Sequence, residues 1–156
     1  MSVNFTLRPA IPGDAGALQK SCWPDRGVEV VEELLQRVDG ITRRGRGMGI
    51  VAEVDYQVVG YAQITLWSRT GEISDLIVAA RLRSQGIGSA MILYLIEKAR
   101  SWSVPRVELG VAMTNPRALS LYRHLGFKDD RLINLDLGSG PEAVTYLVMP
   151  LDSKQL

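Results

Sequence analysis

Glu72-Ile-Ser-Asp-Leu-Ile-Val78 runs through Ala79-Ala80-Arg81-Leu82 into Arg83-Ser-Gln-Gly86-Ile-Gly88, and Ser89 through Trp102 follows without a break. The opening segment reads as an apolar strand and the closing one as a helix, joined by an Arg-x-x-Gly-x-Gly turn. A helix start presents about four backbone N–H groups without intrahelical partners, together with the positive end of the helix dipole. Glycines at 86 and 88 keep Cβ atoms out of the path of an approaching phosphate. Arg81 and Arg83 can add charge-assisted hydrogen bonds to the same anion. The turn therefore reads as a pyrophosphate cradle, although two glycines before a helix also make an ordinary turn.

A second segment, Asn115-Pro-Arg-Ala-Leu-Ser-Leu-Tyr122-Arg-His-Leu-Gly126-Phe127, adds context. It reads as a helix with an Asn cap, Pro at its first position and a Gly-Phe exit. Taken together, the two segments resemble the acetyl-CoA-binding core of the GNAT superfamily of acyl-CoA-dependent N-acyltransferases. Arg83-x-x-Gly86-x-Gly88 matches that family's [Gln/Arg]-x-x-Gly-x-[Gly/Ala] signature, and Asn115…Tyr122…Gly126-Phe127 matches its other recurrent element in order and spacing. Motif-grade similarity runs from Glu72 to Phe127. Outside that window only the order of elements agrees.

Composition narrows the field. A chain of 156 residues fits one domain over 1–156 with a core of its own. With 46% hydrophobic and 22% charged residues and a formal net charge of +1, it reads as a soluble globular chain with no whole-molecule field for nucleic acid or an anionic membrane. One cysteine (Cys22) and one histidine (His124) exclude an internal disulfide and a standard zinc site. There is no Gly-x-Ser-x-Gly elbow. The N-terminal Met-Ser-Val-Asn-Phe-Thr-Leu-Arg-Pro lacks a signal-peptide layout, and the longest apolar run, Ala90–Ile96, is too short to span a bilayer. The expectation is a cytoplasmic protein.

Periodicity sets the order of elements. Asn4–Arg8 reads as a first strand stopped by Pro9. Pro12-Gly-Asp14 introduces a helix with Asp14 as its cap. Glu29–Val38 forms a second helix, with Val30, Val31, Leu34, Leu35 and Val38 on one stripe and Glu29, Glu32 and Glu33 opposite. Gly40–Gly49 reads as a loop, Ile50–Val54 and Val58–Trp67 as a hairpin, and Glu72–Val78 as the fourth strand. Along Val58–Trp67, Tyr61, Gln63, Thr65 and Trp67 share one face and Ala62, Ile64 and Leu66 the other. Helix Gly86–Trp102 is apolar around much of its circumference, which predicts cover on more than one side. Strand Arg106–Val111 should run parallel to the fourth strand, as in a βαβ unit. Lys128–Leu137 and Glu142–Met149 should pair across Gly138-Ser-Gly140-Pro141.

The resemblance implies an α/β fold: a mixed, mostly antiparallel central sheet of about seven strands flanked by four helices, with parallel, splayed fourth and fifth strands. It further implies that Arg83, Ser84, Gln85, Gly86, Ile87, Gly88 and Ser89 hold the acetyl-CoA pyrophosphate. Backbone groups of Leu76, Ile77 and Val78 would bond the pantetheine arm, with Asn115 and Tyr122 beside it. The implied reaction is direct transfer of an acetyl group to a primary amine in a ternary complex, with acetyl-CoA as donor and no metal. A homodimer is open to such a domain.

Acyl transfer from a thioester to an amine asks for deprotonation of the amine, stabilisation of an oxyanion and a protonated leaving thiol. By the resemblance, Tyr122 is the candidate general acid. Its stripe with Ala118, Leu121 and Leu125 also reads as core. Glu72 is the candidate general base, with an exposed charge beside the Gly71 turn as the plain alternative. Asp75 is its rival, placed by strand alternation with Ile73 and Ile77 and opposite Glu72, Ser74 and Leu76. Asn115 caps a helix, touches the cofactor, or does both. Arg117 and Arg123 can reach CoA phosphates, with solvated helix faces as the plainer reading, and His124 reads as a surface or packing residue. The Arg43–Gly49 run reads as a solvated loop that can also steer an anionic substrate. Trp23 and Trp67 either wall the acceptor side or fill core. The acceptor itself, the acyl length and a non-catalytic acyl-CoA-binding domain on the same fold stay open. A dinucleotide site is disfavoured, because Gly-x-Gly-x-x-Gly does not follow the first strand.

Overall fold

Alternating apolar segments of this length bury both faces only inside a sheet with helices on either side. The computed structural model, which describes residues 3–136, 138 and 140–151, has that arrangement. Seven strands join one sheet: β1 (Thr6–Pro9), β2 (Gly47–Val54), β3 (Gln57–Trp67), β4 (Thr70–Val78), β5 (Arg106–Ala112), β6 (Lys128–Asp136) and β7 (Pro141–Pro150). Their spatial order is β1-β2-β3-β4-β5-β7-β6. Only β4 and β5 pair in parallel; every other neighbouring pair is antiparallel. Four helices flank the sheet: α1 (Ala15–Cys22), α2 (Val28–Arg43), α3 (Ile87–Ser101) and α4 (Pro116–His124). The expected element order and fold class hold. Leu137 and Ser139, at the expected β6–β7 turn, lie outside the described residues.

The two sheet faces form two cores. On one, Ile50, Ala62, Ile64, Ile73, Val107, Leu109 and Leu147 pack under α3 and α4. On the other, Val51, Val58 and Tyr61 pack under α1 and α2. The expected faces of β3 are therefore correct, and both are buried. Each fully buried Leu or Ile contributes roughly 1.5–3 kcal/mol relative to exposure. On the second face α1 packs on β3 and α2 on β2, and the cluster has no member from β5, β6 or β7 among the described residues. On that face Ile77 of β4 is the outermost residue packed against the cluster.

Several sequence expectations need correction. β1 includes Pro9, which pairs with Ile50 on the sheet edge, where a missing N–H is tolerated. Asp14 caps nothing. It is buried, accepts from the Ile11 N–H (2.9 Å) and takes both Arg8 guanidinium nitrogens at 3.0 and 2.8 Å. The second helix runs on to Arg43, helped by an Asp39–Arg43 ion pair at 2.9 Å, so the loop shrinks to the residues around Arg44–Arg46. Val30 is 47% exposed, because its position turns it away from the Val31, Leu34, Leu35 and Val38 stripe. Leu93 of α3 is 49% exposed, so the outer side of that helix is bare rather than covered.

Helix α4 follows its sequence signals closely. Asn115 Oδ1 accepts from the Ala118 N–H at 3.2 Å, and Pro116 opens the first turn. At the exit Gly126 takes φ +110°, and the Phe127 N–H reaches back to the Tyr122 carbonyl at 3.0 Å. That return bond sets Phe127 edge-on to Tyr122, ring centroids 6.3 Å apart. Among the described residues no helix is long and apolar enough to cross a membrane.

Candidate active site

Strands β4 and β5 pair at Thr70–Arg106, Gly71–Val107 and Glu72–Glu108, and at no later position among the described residues. β5 continues alongside β7 as far as Ala112–Val144, while β4 stays with β3. The strands therefore part beyond Glu72, leaving the β5-facing edge of Ile73–Val78 without a strand partner.

A bulge in β4 sits at the same place. Ser74 pairs with Gln63 and Ile77 with Tyr61, so the β4 segment between them is one residue longer than its β3 counterpart. Asp75 takes φ +56°. An extra residue reverses the alternation beyond it. Ile73, Leu76 and Val78 pack into the α3–α4 core, whereas Ile77 packs into the α1–α2 core. The expectation that Asp75 shares a face with both Ile73 and Ile77 thus fails, because those two isoleucines lie on opposite faces.

The β4 edge opens into a cleft of about 720 Å³, bounded by Leu76 and Val78, by the turn from Arg83 to Ser89, and by the first turn of α4. Ser84 and Gly86 both take positive φ, +63° and +88°, which turns the chain sharply into α3. A Cβ on Gly88 would stand 3.9 Å from Val78 and 4.0 Å from Leu76, so its bareness leaves open space at the helix start rather than relieving a clash. Arg83 Nε donates to the Val78 carbonyl at 3.2 Å. Of the expected phosphate-turn residues, Arg83, Ser84, Gly86, Ile87, Gly88 and Ser89 line the cleft and Gln85 does not. The Ile87 side chain is buried in the core, so only its backbone is free to serve a ligand.

Arg117, expected on a solvated face, lines the cleft and donates from Nη2 to Ser84 Oγ at 2.8 Å. Its signal in the sequence is electrostatic: a cation in the first turn of a helix opposes the dipole and calls for a nearby anion or acceptor. Arg123 forms a two-pronged pair with Asp129 at 2.9 and 2.7 Å, and His124 is exposed. The Arg43–Arg46 loop precedes β2, whose start pairs with Thr65 near the end of β3. That is the end of the sheet opposite the Arg83–Gly88 turn, so the loop is not placed to steer phosphates into the cleft.

A second cavity of about 240 Å³ shares Leu76, Asn115 and Ala118 with the cleft. Its walls include Leu109, Val111 and Tyr122 from the α3–α4 side, but also Ser74 and Gly110 from the alternate positions. The cavity therefore passes between the parted strands from one face of the sheet toward the other. Tyr122 is nearly buried, and burial alone pushes its hydroxyl above the ordinary tyrosine pKa, so the phenol keeps its proton at neutral pH. Packing against Phe127 and lining the cavity coexist in one side chain. Leu119, unremarked in the sequence, is the other buried residue of α4.

Glu72 is half-buried at the last paired position of β4, next in the chain to Ile73 of the cavity wall, whereas its rival Asp75 lines the cavity itself. One carboxylate oxygen accepts from the Trp67 indole N–H at 2.8 Å. Asp75 is exposed, and Ser74 Oγ donates to it at 3.4 Å. The two tryptophans divide: Trp23 is core, edge-on to Tyr61 at 5.9 Å, while Trp67 is 56% exposed and holds Glu72.

Comparison with known proteins agrees with this architecture. A family model described as the acetyltransferase (GNAT) family matches residues 15–127. An N-alpha-acetyltransferase of Sulfurisphaera tokodaii is 28% identical over 106 residues, covering 60% of this chain and 64% of that protein. Across the curated relatives it matches first, the chain spans 46% to 64% of their length. The crystal structure of a ribosomal-protein-alanine N-acetyltransferase from Brucella melitensis superposes with a TM-score of 0.80 at 24% identity, covering 94% of this chain and 99% of that one. A phosphinothricin acetyltransferase from Sinorhizobium meliloti, solved in complex with acetyl-CoA, superposes with a TM-score of 0.78 at 20% identity over 94% and 88% of the two chains. At those identities the likeness of the structures concerns the fold.

Proposed function

The chain belongs to the acetyltransferase (GNAT) family, and from that premise we propose that it transfers an acetyl group from acetyl-CoA to a primary amine. The observation that carries this reading is the continuity of the cleft at the Gly86–Gly88 helix start with the passage between β4 and β5, where Tyr122 lies. A helix N-terminus with bare glycines suits a pyrophosphate, and Arg83 and Arg117 stand close enough to add positive charge. The strand edge at Leu76, Ile77 and Val78 offers backbone groups to the amides of a pantetheine arm lying where β5 has withdrawn.

In the proposed reaction the amine nitrogen attacks the thioester carbon in a ternary complex. A C–N bond forms and the C–S bond breaks. The amine proton passes to Glu72, through water, and the departing thiolate takes the Tyr122 hydroxyl proton. The phenol is protonated at neutral pH, as a donor must be, and the burial that raises its pKa makes the donation harder. Cys22, the one thiol, is buried, which fits direct attack better than an acyl-cysteine route.

Calorimetric titration with acetyl-CoA, beside NAD as a control, tests the donor. Saturable binding of acetyl-CoA alone is expected, and equal or absent binding of both would remove the reading. Thiol release on adding amines then separates an enzyme from a non-catalytic acyl-CoA-binding domain.

A further inference from the structure

The cleft has an inner and an outer end. Leu76, Asn115 and Ala118 are common to the cleft and the passage, which fixes the inner end beside Tyr122. Arg83, Ser84, Arg117 and Leu121 line the cleft but not the passage. On α4 the helical spacing gives two neighbouring stripes: Asn115, Ala118 and Tyr122 toward the passage, Arg117 and Leu121 along the cleft beside it. Arg117 and Ser84 therefore face each other at the outer end, from walls 33 residues apart in the chain, and the 2.8 Å bond between them bridges it.

That bond leaves the charge of Arg117 unanswered. A hydroxyl is a neutral acceptor, and Arg117 takes part in none of the ion pairs among the described residues. The other arginine of α4, Arg123, is held by both oxygens of Asp129. Arg117 stands instead in the first turn, where the positive end of the helix dipole opposes a cation and an arriving anion would be drawn to both. Arg83 is placed differently. Its Nε is tied to the Val78 carbonyl at 3.2 Å, which keeps its guanidinium at the end of β4, close to the start of α3. Ser84, next in the chain, takes φ +63°, a backbone conformation that L residues adopt rarely, and its hydroxyl meets α4.

CoA carries negative charge in two places, the pyrophosphate and a phosphate on the ribose 3′ oxygen. With the thioester in the passage and the pyrophosphate at Gly86–Gly88, the ribose is the next group outward, and its phosphate is the anion that the helix start does not serve. We infer that Arg117 exchanges the Ser84 hydroxyl for this 3′-phosphate when the donor binds, and that it is the residue by which the protein selects CoA over 3′-dephospho-CoA. The inference rests on the acetyl-CoA reading above and deepens it, assigning recognition of the nucleotide end to one side chain. The exchange replaces a single hydrogen bond to a neutral oxygen by a two-pronged, charge-assisted one.

Calorimetric titration with CoA and with 3′-dephospho-CoA at low salt tests this, since the two compounds differ in that phosphate alone. The unaltered protein is expected to bind CoA about tenfold more tightly, and Arg117→Gln to reduce the preference to about twofold through loss of CoA affinity. Arg117→Lys, which keeps the charge without the planar fork, should restore part of the preference. Equal affinities in the unaltered protein would overturn the inference, as would an undiminished preference in Arg117→Gln. An equal loss of both ligands in that variant would overturn it too, by putting Arg117 on the pyrophosphate or on the adenine ring. Failure of both compounds to bind the unaltered protein would instead defeat the donor reading on which this one stands.

Discussion

Strands β2 and β3 are covered on both faces, by α1 and α2 on one side and α3 on the other, whereas β4 reaches the α1–α2 cluster through Ile77 and separates from β5 after three paired positions. In the covered half the strand alternation carries apolar residues in both directions: Ile50, Val51 and Ala52 are all fully buried. Its polar exceptions satisfy each other, as when the Tyr61 hydroxyl donates to Gln63 at 2.9 Å. Beyond it the same alternation puts Leu109 and Val111 into the core and leaves Glu72, Glu108 and Tyr146 partly exposed on the other face. One local rule thus yields an apolar scaffold where helices lie on both sides and a polar face where one layer is missing.

The sharpest way to break this contrast is a pair of substitutions. Leu18→Ala, in the fully buried contact of α1 with β3, should lower stability by about 2–5 kcal/mol in urea denaturation. Glu72→Gln, on the polar face, should change stability by no more than about 0.5 kcal/mol while turnover falls on the order of 10²-fold. Equal destabilisation by the two would erase the distinction. Tyr122→Phe lies at the seam, and we expect turnover to drop on the order of 10²-fold with acetyl-CoA affinity nearly unchanged. Unchanged turnover would return Tyr122 to packing.

Asn115→Ala removes a cap and should cost about 1 kcal/mol. Equilibrium denaturation of that variant has to precede any assay, since an activity loss matched by lost folding would leave Asn115 a structural residue. The smallest effect concerns pH. Burial raises the hydroxyl pKa of Tyr61, Tyr122 and Tyr146 above the ordinary value of 10.0. The unfolded chain therefore releases these protons first. Stability should be level below about pH 10 and fall above it, and Tyr61→Phe should flatten that fall in melting curves taken from pH 9 to 11. A curve as steep as that of the unaltered protein would assign the loss elsewhere.

The covered half and the phosphate turn were legible in the sequence because each rests on a local signal. Period-two alternation read the faces of β3, and the Asn cap, Pro116 and Gly126 read α4. The Arg83–Gly88 turn was recognisable as an entry into a helix from its glycines, and as a phosphate site only together with the Asn115–Phe127 segment and the resemblance the two carry. What escaped depends on distant partners. Asp14 looks like the cap of α1 until Arg8 and the preceding turn claim it, and the bond of Arg117 to Ser84 joins residues far apart in the chain. The Glu108–Arg131–Tyr146 row, in which Arg131 donates to Glu108 and lies over the Tyr146 ring, joins three strands, two of which meet only through long connections, and nothing in their spacing announces it. The bulge at Asp75 was invisible for a further reason: alternation assumes an unbroken ladder, and apolar residues at 76, 77 and 78 conceal a change of phase.

That bulge makes the strand sensitive to arithmetic more than to chemistry. Many side chains at position 75 would leave the alternation beyond it intact, provided that they tolerate the left-handed backbone. Deleting the residue would remove one carboxylate and, beyond that, exchange the inside and outside of the last third of β4. Ile77 would turn toward α3, Leu76 and Val78 would leave it, and the edge facing the cleft would present its donors where its acceptors had been. The length of this strand, counted in residues, therefore decides which side chains face the core as firmly as the side chains themselves do.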